Sequence, residues 1–365
     1  MTPKRLLIAA GGTGGHMFPA RAAADALMAR GWSVKLVTDA RGARHATDFP
    51  GEPVSEIEAS SPFAKNPVKM AQSMVKLGRG VFQARKIMAD FKPHVVAGFG
   101  GYPAFPVLTA AWMASVPRVI HEQNAVLGRV NRLFAGSVVS VASGFTRLDK
   151  MPDQAVHAVT GNPVRAHVLA AREVEYAPPE PDGEIRLLVL GGSLGARILS
   201  ETVPRAIAQL PEALRWRLKV VQQTREESLD SARQIYTDAG VKAELSPFFR
   251  DMGRLYAETH LVISRSGASS VSEIAAIGRP ALFVPLAIAM DDHQTANAQG
   301  LVRAGAAEMI AEADFTVDHL RARLETLLSD GEALDARARL ARKEGRPDAH
   351  ERLADLIVQA AEPKL

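Results

Sequence analysis

Two stretches of this chain are built alike: Lys4-Arg5-Leu6-Leu7-Ile8-Ala9-Ala10-Gly11-Gly12-Thr13-Gly14-Gly15-His16 and Ile185-Arg186-Leu187-Leu188-Val189-Leu190-Gly191-Gly192-Ser193-Leu194-Gly195-Ala196. Each predicts a β-strand, a glycine-rich turn and the start of a helix. Such a turn directs backbone N–H groups and the positive end of a helix dipole at whatever lies above the strand end. The sequence therefore predicts an anion-binding site twice, once in each of two similar domains.

Length and composition fit a two-domain globular protein. The chain has 365 residues, more than a single core usually supports, with 47% hydrophobic and 23% charged residues. The sequence contains no cysteine, which excludes disulfides, thiolate metal ligands and cysteine nucleophiles and fits the cytoplasm. The apolar run at 6–10 is shorter than the core of a secretory signal, so we interpret it as the first strand.

Strand-like runs alternate with helix-like segments along the chain, which predicts parallel sheets with helices on both faces. Ligands of such sheets bind outside the carboxyl ends of the strands. The uncharged run 95–117 contains glycines and prolines, so it predicts a buried strand, a loop and a buried helix rather than a membrane span. The predicted strands are 6–10, 33–38, 94–97, 118–121, 137–142, 155–159, 185–190, 218–222, 243–245, 261–264 and 281–284.

The domain boundary is predicted near the proline-rich segment 177–181, which cannot continue a helix. We expect a first domain over 1–163, a second over 164–345, and a C-terminal helix within 346–365 that crosses back to the first domain. No low-complexity segment and no nucleic-acid-binding motif occurs in the sequence.

The stretch 62–92 is strongly basic, with Asp90 as its single acid. Met70, Met74, Leu77 and Val81 recur there at helical spacing, with Val75 and Phe82 beside them. This pattern is typical of a helix that lies on anionic lipid headgroups; an ordinary helix with a solvated basic face is the alternative. The basic residues are Lys65, Lys69, Lys76, Arg79, Arg85, Lys86 and Lys92.

The glycine turns also suggest chemistry. Gly12–Gly15 is half of a dinucleotide fingerprint, with Asp39 where a ribose-binding acid would lie, but Met17 occupies the place of the third glycine. His16 lies at a helix start, where the dipole disfavours the imidazolium and so favours a neutral, basic ring. Because the sequence contains no Asp-x-Asp pair, we expect helix N-termini and an arginine, not a metal, to stabilise a leaving diphosphate.

A third loop, Ser264–Glu273, follows an apolar strand. Ser270 and Glu273 have the spacing of a capping box, so one interpretation is that Glu273 caps its own helix. The other is a functional one, in which the N–H groups and serines bind a phosphate while a nearby carboxylate accepts hydrogen bonds from sugar hydroxyls.

Seven motifs in order, spread from about residue 5 to 310, resemble the MurG family of bacterial N-acetylglucosaminyltransferases. The motifs are Gly11-Gly12-Thr13-Gly14-Gly15-His16, Gly98-Phe99-Gly100-Gly101-Tyr102, His121-Glu122-Gln123-Asn124, Gly161-Asn162-Pro163-Val164-Arg165, Gly191-Gly192-Ser193-Leu194-Gly195-Ala196, Arg265-Ser266-Gly267-Ala268 with Ser272-Glu273, and Asp292-His293-Gln294-Thr295-Ala296-Asn297.

The resemblance implies the GT-B fold: two Rossmann-like, doubly wound parallel-sheet domains of the α/β class that face each other across a cleft. It implies inverting transfer of GlcNAc from UDP-GlcNAc to the C4 hydroxyl of MurNAc-pentapeptide-diphosphoundecaprenol, which converts lipid I to lipid II. The first domain would bind the lipid acceptor and the membrane surface, and the second domain would bind UDP-GlcNAc. The implied location is the cytoplasmic face of the inner membrane, with peripheral binding, no cofactor, no nucleic acid and contacts with cell-wall or division-complex proteins.

The resemblance also implies roles for residues. His16 would be the general base, with Glu122 in reserve; Glu273 would bind the ribose and Ser193 the diphosphate. The acceptor diphosphate would lie at Gly100, Gly101 and Tyr102, although the loop up to Pro106 is richer in proline than the family pattern. Donor contacts would fall on Thr13, Gly14, Gly15, Asn124, Arg165, Ser193, Phe249, Ala268, Ser269, Ser270, Val271, Ser272, Glu273 and Gln294.

Three alternatives use the same residues differently. A UDP-GlcNAc 2-epimerase of the same architecture would need no acceptor. An NAD-dependent oxidoreductase would hold its cofactor with Gly12–Gly15 and Asp39. A nucleotide-sugar sensor would bind UDP-GlcNAc and tolerate the loss of His16.

Overall fold

The computed structural model describes residues 3–12, 14–44, 46–61, 63, 66–192 and 195–362. The described residues form two compact units. One comprises the chain up to Val164 together with the residues from Pro347 onward, and the other comprises Arg165–Arg346. Each is an α/β domain built on a fully parallel sheet.

Within the described residues, the sheet of the first unit has seven strands: β1 (Arg5–Ala9), β2 (Ser33–Thr38), β3 (Glu52–Glu56), β4 (Val95–Gly98), β5 (Arg118–Glu122), β6 (Ser140–Ser143) and β7 (His157–Val159). Their order is β3-β2-β1-β4-β5-β6-β7, so the direction of strand addition reverses between β1 and β4. The first helices are α1 (Gly14–Ala29), α2 (Ala40–Ala43), α3 (Pro67–Phe91), α4 (Ala104–Met113) and α5 (Arg129–Phe134).

The central strand β1 explains why its sequence is continuously apolar. Leu6 and Ile8 pack into the core cluster on one side of the sheet, and Leu7 and Ala9 into the cluster on the other side. A parallel strand covered on both faces requires apolar residues at every position rather than at alternate ones.

Helix α3 packs along α4 and also presents a long exposed face. Its buried residues are Ser73, Leu77, Gly80, Ala84 and Met88. A Cβ on Gly80 would lie 2.1 Å from the carbonyl oxygen of Glu58, so only glycine allows this approach of helix to backbone. The predicted arrangement of 95–117, a buried strand followed by a loop and a buried helix, is confirmed by β4 and α4.

The second unit has a six-stranded sheet among the described residues: β8 (Ile185–Leu190), β9 (Leu218–Gln223), β10 (Lys242–Ser246), β11 (Leu261–Ser264), β12 (Ala281–Phe283) and β13 (Ala307–Met309). Its order, β10-β9-β8-β11-β12-β13, repeats the reversal of the first sheet between β8 and β11. Its helices are α6 (Ala166–Leu169), α7 (Arg197–Ala208), α8 (Glu212–Arg215), α9 (Leu229–Asp238), α10 (Met252–Glu258), α11 (Ala268–Ile277), α12 (His293–Arg303), α13 (Val317–Leu328) and α14 (Gly331–Glu344).

The last helix, α15 (Ala349–Ala360), belongs to the first unit. Leu353 and Ile357 are fully buried in the core cluster that contains Leu27 of α1. Arg30 donates hydrogen bonds to Glu351 and Asp355 and so ties the exposed edge of α15 to the end of α1. None of the described helices combines the length and apolarity needed to cross a membrane.

Two strands escape the sequence prediction, and both lie at sheet edges. Strand β3, Glu-Pro-Val-Ser-Glu, has no apolar run, and all five of its residues are exposed or half-buried. Strand β13 has three residues. The predicted strand at 137–142 is also shifted, because Ala135–Ser137 forms a 3-10 turn and the strand runs over Ser140–Ser143.

Candidate active site

The reversal between β1 and β4 brings the first glycine turn against the loop that follows Gly98. Gly101 has φ of +77°, and a Cβ there would lie 2.7 Å from the carbonyl oxygen of Gly11. The two loops therefore meet backbone to backbone, which requires glycine. The Pro103 ring also lies against Gly11, so the proline-rich part of the loop packs on the first glycine turn.

His16 lies in the first turn of α1, as predicted. Its Nδ1 is 2.9 Å from Oε1 of Gln123, the residue after the end of β5. Gly100 approaches the ring from the neighbouring loop; a Cβ at this position would lie 3.0 Å from Cε1 of His16. The sheet thus brings together the predicted base, Gly100 and Gln123.

Gln123 and His121 were not singled out as site residues by the sequence. The Gln123 amide donates to the carbonyl oxygen of Phe99 at 3.0 Å and lies 3.1 Å from Nδ1 of His121. His121 is buried, and its Nε2 is 3.2 Å from the carbonyl oxygen of Gly161. Burial lowers the pKa of His121 to about 4, so this ring is neutral at pH 7.

Glu122, the expected reserve base, accepts hydrogen bonds from the loop that follows β5 and from α5. Its Oε1 accepts from the backbone N–H and side-chain amide of Asn124, at 3.1 and 3.3 Å. Its Oε2 accepts from the backbone N–H of Gly128 at 2.9 Å and the amide of Asn131 at 2.8 Å. Four donors occupy this buried carboxylate, which therefore holds the 124–128 loop.

Asp39 and Tyr102 lie near the same loops. Asp39 accepts from the backbone N–H of Gly42 at 2.9 Å and caps α2. In a dinucleotide-binding protein, a carboxylate at this position would bind the ribose instead. Tyr102 is partly exposed, and the Arg41 guanidinium lies 5.8 Å from its ring centroid.

The second unit also has a glycine turn where the strand order reverses, between β8 and β11. Gln223 holds this turn in place. Its Oε1 accepts from the backbone N–H of Gly191 at 3.0 Å, and its amide donates to the carbonyl oxygens of Gly192 and Pro247. Sequence analysis does not identify this role, because a glutamine at the end of a strand carries no recognisable functional pattern.

Glu273 lies within α11, and the capping interpretation is wrong. The helix begins at Ala268 with Gly267 as its N-cap, so Ser270 is already helical. The Glu273 carboxylate instead accepts from Nη2 of Arg165 at 2.9 Å and from the hydroxyl of Tyr256 at 3.3 Å. Burial raises the pKa of Glu273, and the Arg165 charge opposes that shift.

The remaining residues of the second unit that are predicted to contact UDP-GlcNAc lie on loops or in the first turns of helices. Gln294, at the start of α12, accepts from the backbone N–H of Leu286 at 3.0 Å. Asn297 donates to the carbonyl oxygen of Ser266 and so fixes the loop before α11. Phe249 is half-buried, as are Ala268, Ser269, Ser270 and Ser272, whereas Val271 is buried. Thr13 and Ser193 lie outside the described residues.

Both halves of the chain match known glycosyltransferase domains. Residues 6–143 match the glycosyltransferase family 28 N-terminal domain, and residues 186–353 match the family 28 C-terminal domain. The protein is thus a two-domain glycosyltransferase. The predicted α/β class and doubly wound parallel sheets of the GT-B fold are confirmed.

Full-length relatives define the family further. The chain is 61% identical over 359 residues to the UDP-N-acetylglucosamine--N-acetylmuramyl-(pentapeptide) pyrophosphoryl-undecaprenol N-acetylglucosamine transferase of Maricaulis maris, covering 98% of both chains. It is 49% identical over 360 residues to the protein of the same name from Phenylobacterium zucineum, covering 98% of this chain and 99% of the relative. The crystal structure of Acinetobacter baumannii MurG superposes with a TM-score of 0.81 at 33% identity, covering 98% of this chain and 100% of that one. This chain belongs to the MurG family, and the epimerase and oxidoreductase alternatives are not favoured.

Proposed function

We propose that this enzyme transfers GlcNAc from UDP-GlcNAc to the MurNAc-pentapeptide of a diphosphoundecaprenol lipid, converting lipid I to lipid II. The observation that carries the proposal is the 61% identity, over 98% of the chain, to a relative named for this transfer. The two reversal points support it, because each sheet places glycine turns and a helix start where a phosphorylated substrate binds.

The reaction proceeds by single displacement with inversion at the anomeric carbon. The C4 hydroxyl oxygen of MurNAc bonds to C1 of GlcNAc as the bond from C1 to the β-phosphate oxygen breaks. The hydroxyl proton passes to His16, and UDP leaves with the bonding electrons. His16 is the better base than Glu122, because four hydrogen bonds hold the Glu122 carboxylate in its loop.

The donor binds to the second unit in this proposal. Ser193 and the N–H groups of its turn contact the diphosphate, and Arg165 balances the charge that develops on departing UDP. Glu273 accepts from the ribose hydroxyls, while Gln294, Phe249 and the segment 268–273 complete the site. Thr13, Gly14, Gly15 and Asn124 of the first unit contact the donor as well, and Gly100, Gly101 and Tyr102 hold the acceptor diphosphate.

Helix α3 is the proposed membrane-binding element, on the cytoplasmic face of the inner membrane. Phe82 is 74% exposed and Met74 is 55% exposed, and Val68, Met70 and Val75 are exposed as well. Lys69, Lys76 and Arg79 are exposed on the same helix, and Arg79 makes a loose ion pair with Glu58 at 3.8 Å. Apolar side chains beside basic ones suit peripheral attachment to an anionic leaflet, where each cation contributes about 1 kcal/mol. Lys65 lies outside the described residues.

The test is transfer of labelled GlcNAc from UDP-GlcNAc to a short-chain lipid I analogue, with and without the analogue and with EDTA. We expect a β-linked product that requires the acceptor and survives chelation. His16→Ala should lower kcat by about 10²–10⁴-fold, the usual effect of losing a general base. Glu122→Gln, the matched variant at the end of β5, should lose less. UDP-sugar conversion without acceptor would refute the transfer, and near-normal turnover of His16→Ala would refute the assignment of the base.

A further inference from the structure

A chain of hydrogen bonds, part-buried at His16 and buried beyond Gln123, runs from His16 through Gln123 and His121 to the backbone of Gly161. We propose that Gln123 is a positioning residue that fixes the proton of His16 on Nδ1 and leaves the lone pair on Nε2. This inference rests on the proposed role of His16 as the general base. It adds which ring nitrogen of His16 accepts the proton, and which residue determines that choice.

The orientation of the Gln123 amide is set by backbone oxygens. Its Nε2 lies 3.0 Å from the carbonyl oxygen of Phe99 and 3.3 Å from that of His121. Carbonyl oxygens only accept hydrogen bonds, so the NH2 group must be the one that faces them. The amide oxygen of Gln123 therefore faces Nδ1 of His16.

The tautomer of His16 follows from this orientation. Because the Gln123 oxygen can only accept, Nδ1 of His16 must donate across the 2.9 Å contact. A neutral imidazole has one N–H group, so the lone pair resides on Nε2. Nε2 is then the atom that takes the proton of the C4 hydroxyl of the MurNAc acceptor.

His121 supplies a second constraint on Gln123. Its Nε2 is 3.2 Å from the carbonyl oxygen of Gly161 and must donate to it, which makes Nδ1 of His121 an acceptor. That nitrogen is 3.1 Å from the Gln123 amide nitrogen and can take its second hydrogen. Since burial keeps His121 neutral, the hydrogen on its Nε2 and the donor role of the Gln123 amide agree with each other.

The choice of an amide has a chemical consequence. A carboxylate in this position, as in the Ser-His-Asp triad, would both orient the imidazole and stabilise its protonated form. Gln123 orients the ring without adding a negative charge beside it. The network thus resembles the hydrogen bonds from backbone carbonyls that set the tautomer of metal-binding histidines.

The proposal can be tested with ¹⁵N-histidine-labelled full-length enzyme by NMR, which distinguishes the two tautomers from the ring nitrogen shifts. His16→Gln identifies the His16 signals by their loss. We expect the Nδ1–H form in the native enzyme and a gain of the Nε2–H form in Gln123→Met. With the soluble lipid I analogue, Gln123→Met should lower kcat about 10- to 100-fold and leave the KM for UDP-GlcNAc unchanged.

Gln222→Met is the matched control. Gln222 is another buried amide; it accepts from the hydroxyl of Tyr236 at 2.6 Å and donates to the carbonyl oxygen of Leu199 at 3.3 Å. Its replacement should cost similar stability but leave the His16 signals and kcat as they are. A native His16 in the Nε2–H form, or unchanged signals and kcat in Gln123→Met, would overturn the proposal. A fully active His16→Ala with the expected tautomers would instead reject the base assignment and with it the catalytic role of Gln123.

Discussion

Arg165 holds Glu273 by two hydrogen bonds to the same carboxylate oxygen, from Nε at 3.2 Å and from Nη2 at 2.9 Å. The side chain of Glu273 is 8% exposed and that of Arg165 is 31% exposed, so the carboxylate is the more costly partner to bury. The two residues proposed for the ribose and the leaving diphosphate thus depend on each other for their positions.

This pair predicts unequal effects on stability. Arg165→Ala leaves a buried carboxylate without its cation and should lower the free energy of unfolding by about 2–3 kcal/mol, less than for a fully buried pair because Arg165 is partly exposed. Glu273→Gln should cost less, since Tyr256 can still donate to the amide oxygen. Urea unfolding at pH 7 measures both, and Arg165→Ala/Glu273→Gln should be more stable than the sum of the single variants predicts. Strict additivity would show that the pair is not coupled.

The repeated glycine turns and the continuous strand-like runs can be predicted from the sequence. Contacts between residues that are far apart in the sequence cannot. The runs at 33–38, 185–190 and 261–264 coincide with strands because buried residues, most of them apolar, make up the greater part of each. His16 was found because a glycine turn and helix start surround it. Gln123 was not found as its partner, because the two are 107 residues apart and only the order of strands in the sheet brings them together.

Gly100 predicts a specific way to disturb the site. It has φ of +91°, and an added methyl group would lie 3.1 Å from Nδ1 of His16 as well as close to Cε1. Gly100→Ala should therefore displace the His16 ring and lower kcat at least tenfold, with a loss of about 1–2 kcal/mol from backbone strain.

Gly31→Ala separates these two effects. Gly31 has φ of +80°, and no heavy atom of the described residues lies within 4 Å of the position its Cβ would take. This variant should lose similar stability and keep its kcat with the lipid I analogue. Equal losses of kcat in both variants would show that backbone strain, and not contact with His16, limits the rate.

Charge reversal on α3 tests the proposed membrane face. Lys69→Glu/Lys76→Glu/Arg79→Glu should bind anionic vesicles at least tenfold more weakly in low salt, and the difference from the native enzyme should shrink as salt screens the charges. Arg205→Glu/Arg233→Glu/Lys242→Glu changes the net charge equally on exposed sites of the second unit and should bind almost normally. Vesicle sedimentation measures both variants; equal weakening would point to net charge instead of a face on α3.

His121 predicts a pH dependence of stability with a defined sign. Burial lowers its pKa from 6.5 to about 4, so between these values the unfolded chain binds a proton that the folded chain excludes. The contribution of His121 is complete above about pH 6.5, declines as the pH falls and levels off below about pH 4, a total of about 3 kcal/mol. His121→Asn keeps an acceptor for Gln123 but cannot titrate, so its unfolding free energy should fall less steeply over this window.

Urea unfolding at several pH values compares the two proteins, and the comparison removes other groups such as His260, whose pKa burial also lowers to about 4. Parallel curves for the two proteins would mean that His121 binds a proton as readily in the folded chain as in the unfolded one, and that burial does not keep the ring neutral between pH 4 and 6.5.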